Sequence, residues 1–291
     1  MAIRLACADY TWPAADHSLA LDIISGLGFA GVDIGFMVGR SHVRPEQVGE
    51  DTAAWAGRVS ERCEARGLAV SDVFAQPDSF ESLAVNHPDP AEQERAAAFF
   101  DRSLEFAGRL GSPGLTMLPG IVFGSEDWEQ AARRAASGLA WRADRAAAAG
   151  LALSVEPHIG SVIDTPERAS VLLEMVPALT LTLDYGHFVA AGAAEESIEP
   201  LLPRARHVQC RGGADGVLQA SMRHSSIDFP RMARRLAAGG YGGFLACEYV
   251  WSQWQGCDQV DNLTETVALR DVLARALERD SAVSGRAGTT R

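Results

Sequence analysis

Four short apolar runs in this chain end on a side chain that can hold a proton or a metal ion. Leu151 to His158 delivers Glu156, Leu181 to Phe188 delivers Asp184, Ala205 to Arg211 delivers His207, and Gly243 to Val250 delivers Glu248. Successive side chains of a strand point to opposite faces, so each run divides by parity. Ser154, Glu156 and His158 share one face, as do Thr182, Asp184 and Gly186, His207, Gln209 and Arg211, and Ala246 with Glu248. The opposite parity carries Leu153, Val155, Leu181, Leu183, Leu245 and Cys247. If the apolar faces meet a shell of helices, the polar faces point inward, and buried carboxylates are costly without compensating charge. Three acids and an imidazole converging in a dry interior call for a cation. With oxygen and nitrogen donors and no sulfur, Glu156, Asp184, His207 and Glu248 favour a hard or borderline divalent ion, Mn²⁺ first, then Mg²⁺, Co²⁺, Fe²⁺ or Zn²⁺.

The elements that must position these residues alternate along the chain. Strands are expected at Ile3 to Tyr10, Gly31 to Met37, Leu68 to Ala75 and Gly114 to Leu118, followed by the four runs above. Helices are expected between them: Ser18 to Leu27, Pro45 to Arg66, Ala91 to Leu110, Glu126 to Ala149, one opening at Thr165-Pro166-Glu167, a weak one at Ser197 to Leu202, Asp228 to Ala238, and Val260 to Leu277. Thr165 before Pro166 is an N-cap followed by proline in the first helical position, and Gly28, Gly67, Gly111 and Gly150 stand where helices should stop. Eight strands each followed by a helix is the count for an α/β (β/α)8 TIM barrel, here one domain over residues 1–280 with a flexible C-terminal tail over 281–291. Gln76 to Pro90, with three prolines, is longer than a plain connection and reads as a lid over the site.

Composition narrows the function. The 291 residues carry a formal charge of -12, which opposes binding to a phosphate backbone, and no Lys/Arg stripe interleaves with aromatics to overcome it. Asp9 interrupts the apolar N-terminus and no later segment approaches a spanning length, so neither a membrane nor a nucleic-acid partner is expected and a cytoplasmic location is the expectation. Five cysteines, Cys7, Cys63, Cys210, Cys247 and Cys257, form no C-x-x-C pair and read as buried thiols.

The runs Ser-Val-Glu-Pro-His around Glu156, Leu-Asp-Tyr-Gly-His around Asp184, Arg-His-Val-Gln around His207 and Gly-Tyr-Gly-Gly-Phe-Leu-Ala-Cys-Glu-Tyr ending past Glu248 resemble the xylose isomerase-like TIM barrel superfamily, in particular its sugar phosphate isomerase/epimerase branch. The likeness runs from the first strand to the last helix. It implies a divalent ion, commonly Mn²⁺, on Glu156, Asp184, His207 and Glu248, and it implies that Glu156 and Glu248 are the catalytic acid/base pair on opposite faces of a sugar or polyol. Three departures stand out. Arg223-His224-Ser225-Ser226-Ile227-Asp228 replaces a Gly-Glu-Gly-x-Ile-Asp run, Cys210-Arg211-Gly212-Gly213 replaces the acid that often follows the strand-seven histidine, and no second glutamate follows Glu156 closely.

A carbonyl and adjacent hydroxyl chelated by the ion would acidify the neighbouring C–H, so the expected reaction is isomerisation or epimerisation through an enediolate. The same intermediate can expel a β-hydroxyl, which makes a dehydratase of the inosose type the alternative. A non-catalytic sugar-binding or partner subunit is the reading outside enzymology. A hydrolase like endonuclease IV would need His and Glu ligands at the ends of strands two and three, where Phe36-Met37-Val38 and Phe74-Ala75-Gln76 stand. Expected substrate contacts are His158, His187, Arg211, Trp12 and Trp251, with Phe36 as a further ring and Arg223 and His224 as weaker candidates. Gly212-Gly213 is compatible with a phosphate nest, and the aromatic stretch Tyr249 to Trp254 with a homo-oligomer interface.

Overall fold

A computed structural model describes residues 2–49 and 51–287. Within them eight parallel strands close in sequence order into a barrel: β1 Arg4–Ala8, β2 Gly31–Met37, β3 Ala69–Gln76, β4 Gly114–Met117, β5 Ala152–Val155, β6 Thr180–Asp184, β7 Ala205–Cys210 and β8 Phe244–Cys247. Parallel neighbours need a crossover, which the helices supply: α1 His17–Gly26, α2 Pro45–Val48, α3 Thr52–Glu64, α4 Pro90–Arg109, α5 Trp128–Ala148, α6 Pro166–Met175, α7 Tyr185–Ala190, α8 Glu195–Ile198, α9 Phe229–Ala238 and α10 Asn262–Ala287. The single (β/α)8 barrel expected from the alternation is present.

Local chemistry sets the helix ends. Thr165 Oγ1 accepts from Arg168 N at 3.3 Å ahead of Pro166, and Asp51, Asp89, Asp127 and Asp228 cap their helices in the same manner. Gly111 and Gly150, at φ of 71° and 74°, turn the chain out of α4 and α5 towards the next strand through a left-handed conformation that a β-carbon would strain. The helix expected over Pro45 to Arg66 divides because Gly49 takes a φ of 56° and Asp51 caps a new start. The last helix continues past Leu277 to Ala287, so most of the stretch expected as a tail is helical; residues 288–291 lie outside the described ones. No helix among the described residues is long and apolar enough to cross a membrane.

The apolar parity of the strands packs against the helices as the pattern requires, with Leu153, Val155, Leu181, Leu183, Val208, Leu245 and Cys247 all buried in one cluster. All five cysteines are free and buried. The inward parity divides into two storeys. In the lower one His207 Nε2 lies 2.7 Å from Asp33 Oδ2, Ser71 Oγ donates to Asp33 Oδ1 at 2.5 Å, and Arg206 Nη2 donates to Asp72 Oδ1 at 2.8 Å. Two register shifts build this layer. Pairing jumps from Val32↔Val70 to Asp33↔Asp72 and from Leu181↔Ala205 to Thr182↔His207, so Ser71 and Arg206 are extra residues. Consecutive side chains at 71 and 72, and at 206 and 207, thereby all reach the interior, as bulges permit. The upper storey, at the C-terminal ends of the strands, holds the candidate site.

Candidate active site

Glu156 directly follows β5, and its backbone N–H donates to Met117 O, so the barrel ladder fixes it at the rim. Asp184 closes β6 and also caps α7, its Oδ1 accepting from Gly186 N at 2.7 Å. The run Tyr-Gly-His-Phe, expected as strand, is therefore helical. The first turn of α7 brings His187, three residues on, back over Asp184. Its Nε2 stands 3.5 Å from Glu156 Oε1 and 3.9 Å from Asp184 Oδ2. Among the described residues, Glu156, Asp184 and His187 offer ligand-type atoms that all lie within 4.8 Å of one another.

His207 belongs elsewhere, which corrects its place in the expected ligand set. It is level with Thr182, whereas Asp184 is level with Gln209, so His207 sits one inward-facing position too deep and is engaged by Asp33. The strand-seven side chain at the height of the acids is Gln209, whose Oε1 is buried with no hydrogen-bond partner. Gln209 Nε2 donates to Tyr10 Oη at 2.9 Å, and Tyr10 Oη donates to Glu248 Oε1 at 3.0 Å.

Arg211 binds the acids together. Its Nε donates to Asp184 Oδ2 at 2.7 Å, its Nη2 donates to Glu248 Oε2, and the same nitrogen is 3.7 Å from Glu156 Oε1. Burial alone would favour the neutral guanidine, but Glu248, Asp184 and Glu156 reverse that and hold Arg211 charged. Burial pushes the carboxyls of Glu156 and Glu248 upwards, neighbouring acids add to the rise, and Arg211 opposes it. Tyr10 keeps its phenolic proton because burial and the charge of Glu248 both raise its pKa.

The two histidines are neutral. Burial takes His158 and His187 down to about 3, with His187 adding to the shift of His158 and Arg211 to that of His187. His158 Nδ1 lies 2.9 Å from Ile159 O, an acceptor, so that nitrogen carries the proton and Nε2 is a bare acceptor; Nε2 is buried without a partner. Ile159 N donates to His187 Nδ1 at 3.4 Å, which leaves the proton of His187 on Nε2, facing Glu156.

These groups line a cavity of about 420 Å³. Its charged side carries the carboxyls of Glu156 and Glu248 and the guanidinium of Arg211. Aromatic rings also line it, with Phe80 stacked on His158 at 4.7 Å between centroids and edge-on to Trp254 at 5.4 Å, while Trp254 reaches His187 at 6.1 Å. Gln76 to Phe80 line the cavity, so the first part of the long loop covers the site. Its later part is pinned by Asn86, whose Nδ2 donates to Ile121 O at 2.7 Å.

Of the expected contacts, His158, His187, Arg211 and Trp251 line the cavity, Trp251 being 61% exposed at the mouth. Trp12 does not; it packs against the core cluster. Phe36 is fully buried and stacks on Phe106 at 4.7 Å. His224 turns to Ser221, and neither it nor Arg223 lines the cavity. The nest reading of Gly212-Gly213 fails because both N–H groups are taken, by Tyr249 Oη at 2.9 Å and Ser225 Oγ at 3.2 Å. Tyr10, Gln209, Arg40, Phe80 and Trp254 were missed. Inward parity at Gln209 was the available signal for one of them, and the others follow or lie outside strands.

The chain aligns with a human protein provisionally named hydroxypyruvate isomerase, 28% identical over 174 residues, which are 53% of this chain and 61% of that one. The chain thus spans under two thirds of that relative's length. Its backbone superposes on an L-ribulose 3-epimerase with a TM-score of 0.78 at 18% identity, covering 100% of this chain and 99% of the other. It also superposes on a zinc-bound IolI protein with a TM-score of 0.73 at 15% identity, covering 95% and 99%. At those identities the likeness to solved structures is one of fold. The family model described as xylose isomerase-like TIM barrel matches residues 21–275, and the chain belongs to that family.

Proposed function

We propose that this protein is a divalent-metal-dependent isomerase or epimerase of a small sugar or polyol, moving a proton next to a chelated carbonyl. The observation that carries the reading is the meeting of Glu156 and Glu248 on one cavity at the C-terminal barrel mouth, joined through a single guanidinium. The family membership and the isomerase and epimerase names among its relatives favour the same class of reaction.

The donor set fits a divalent ion. Glu156 Oε1 and Gln209 Oε1 are buried oxygens lacking hydrogen-bond partners, and three carboxylates face one guanidinium, an excess of negative charge that a divalent ion balances. Glu156, Asp184, Glu248 and Gln209 would hold it, and with oxygens dominating we infer Mn²⁺ ahead of Zn²⁺. When bound, such an ion would supply Lewis-acid polarisation of the substrate's carbonyl and hydroxyl oxygens.

The chain supplies the rest. His158 Nε2 accepts a hydrogen bond from a substrate hydroxyl, and His187 Nε2–H faces Glu156 at 3.5 Å. Glu156 takes the proton from carbon with the carboxylate oxygen that the ion would leave free. Tyr10 and Arg211 hold Glu248 so that it serves as the second acid/base. Burial that raises both carboxyls brings their proton affinity nearer neutrality, which suits groups that must gain and lose a proton in one cycle. The rings of Phe80 and Trp254 exclude water and offer faces to the C–H side of a sugar. A panel of ketoses and cyclitols scored for deuterium uptake from solvent tests the proposal. Uptake at carbon with the wild-type protein and its loss in Glu248→Gln supports it; uptake unchanged in that variant refutes the role of Glu248.

A further inference from the structure

We propose that Arg40 is a carboxylate anchor and that the natural substrate is an acidic sugar carrying one carboxylate remote from its reacting carbons. This rests on the isomerase/epimerase reading of the same cavity. Arg40 stands on the loop after β2 and lines the cavity with Glu156, Glu248 and Arg211. The two guanidiniums there differ in one respect. Arg211 gives Nε to Asp184 and Nη2 to Glu248, with Glu156 3.7 Å from the same Nη2, so its charge is met by acids of the protein. Arg40 donates from Nη2 to the neutral side-chain oxygen of Gln76 and, among the described residues, forms no ion pair. Asp78 lines the same cavity and its charge acts on Arg40 without forming an ion pair, its Oδ1 accepting from Ser79 N and Ser82 Oγ.

Glu156, Glu248 and Asp78 all act electrostatically on Arg40, but none of them comes within ion-pair distance of it, so its remaining N–H groups are open to a ligand. A planar fork with free N–H groups matches a carboxylate in geometry. A phosphate would call for several converging donors, and the two candidate backbone donors, Gly212 and Gly213, are already bonded within the protein. The cavity of about 420 Å³ has room for a six-carbon chain reaching from the acids to the β2 loop.

Three ketohexoses that differ only at the sixth carbon separate the possibilities: fructose, fructuronate and fructose 6-phosphate. Their binding to the Mn²⁺-loaded protein is measured by titration calorimetry, and deuterium uptake at carbon is followed in parallel. The expected result is fructuronate binding at least tenfold tighter than either analogue. Arg40→Gln should weaken fructuronate about tenfold to a hundredfold and leave fructose unchanged, and Arg40→Lys should fall between. Fructose or fructose 6-phosphate binding as tightly as fructuronate, or Arg40→Gln weakening all three equally, overturns the anchor even where exchange proceeds. Selective, Arg40-dependent binding of fructuronate without any exchange upholds the anchor and counts against the reaction instead.

Discussion

Replacing His207 with glutamine separates the two roles this residue has been offered. The structure makes it half of a buried pair, Nε2 to Asp33 Oδ2 at 2.7 Å, in a layer completed by Arg206 with Asp72 and by Ser71. Removing one member of a buried ion pair costs about 3–5 kcal/mol, because the other is left buried and unpaired. Glutamine still donates a hydrogen bond, so the lower end, about 3 kcal/mol, applies. For a chain of this size that lowers Tm by roughly 5 °C. Adding Asp33→Asn removes the stranded charge and should return part of the loss, so the double variant is more stable than the sum of the singles. Calorimetry or urea unfolding gives the stabilities, and equilibrium dialysis gives Mn²⁺ affinity, which should stay within about threefold of wild type because Gln209, not His207, is level with Asp184. A His207→Gln protein of wild-type stability that no longer binds Mn²⁺ would falsify the two-storey description.

The same pair shapes the stability profile with pH. Burial would lower the pKa of His207, but the charge and hydrogen bond of Asp33 outweigh it and raise it; Asp33 is lowered despite burial, by His207. The His207 contribution is present in full below about pH 6.5 and fades as pH rises through the raised folded value. That of Asp33 is present above about pH 4 and fades as pH falls through the depressed one. Urea unfolding should thus show a decline on the alkaline side that is absent in His207→Gln; identical slopes would rule the linkage out. Glu248→Gln should cut kcat by a factor of about 10² or more with Tm nearly unchanged, read by deuterium uptake and calorimetry, whereas a large loss of Tm would point to a structural role. Arg211→Met leaves three acids without their guanidinium, so the metal-free variant should be about 3 kcal/mol or more less stable and recover with Mn²⁺; no recovery would mean that those acids do not accept the ion.

What could be read from the sequence was what depends on period. Alternation within Leu151 to Val155 and Leu181 to Asp184, with a helical stretch after each strand, specifies parallel strands under helices and sends Glu156, Asp184 and Glu248 to the same mouth. Depth along the barrel is another matter, because it depends on stagger between neighbours. His207 and Gln209 share a parity, and only the pairing of Asp184 with Gln209 tells which one meets the acids. The bulges are equally hidden: nothing in Ser71-Asp72 or Arg206-His207 announces that both side chains turn inward. His187 was placed near the site by sequence proximity, yet its approach to Glu156 arises because Asp184 caps a helix in place of continuing a strand. Sequence marks Arg211 as a substrate contact. The three acids around it occupy that cation, and Arg40, on a loop with no periodic signal, is the one left open.

Equilibrium dialysis against Mn²⁺, with wild-type protein and Asp184→Asn side by side, bears most directly on the site as a metal centre. The expected result is one EDTA-removable ion per wild-type chain and an affinity reduced by about tenfold or more in Asp184→Asn, with the fold intact by circular dichroism. A wild-type chain that retains no divalent ion, or an Asp184→Asn chain that binds it as tightly as wild type, contradicts the account.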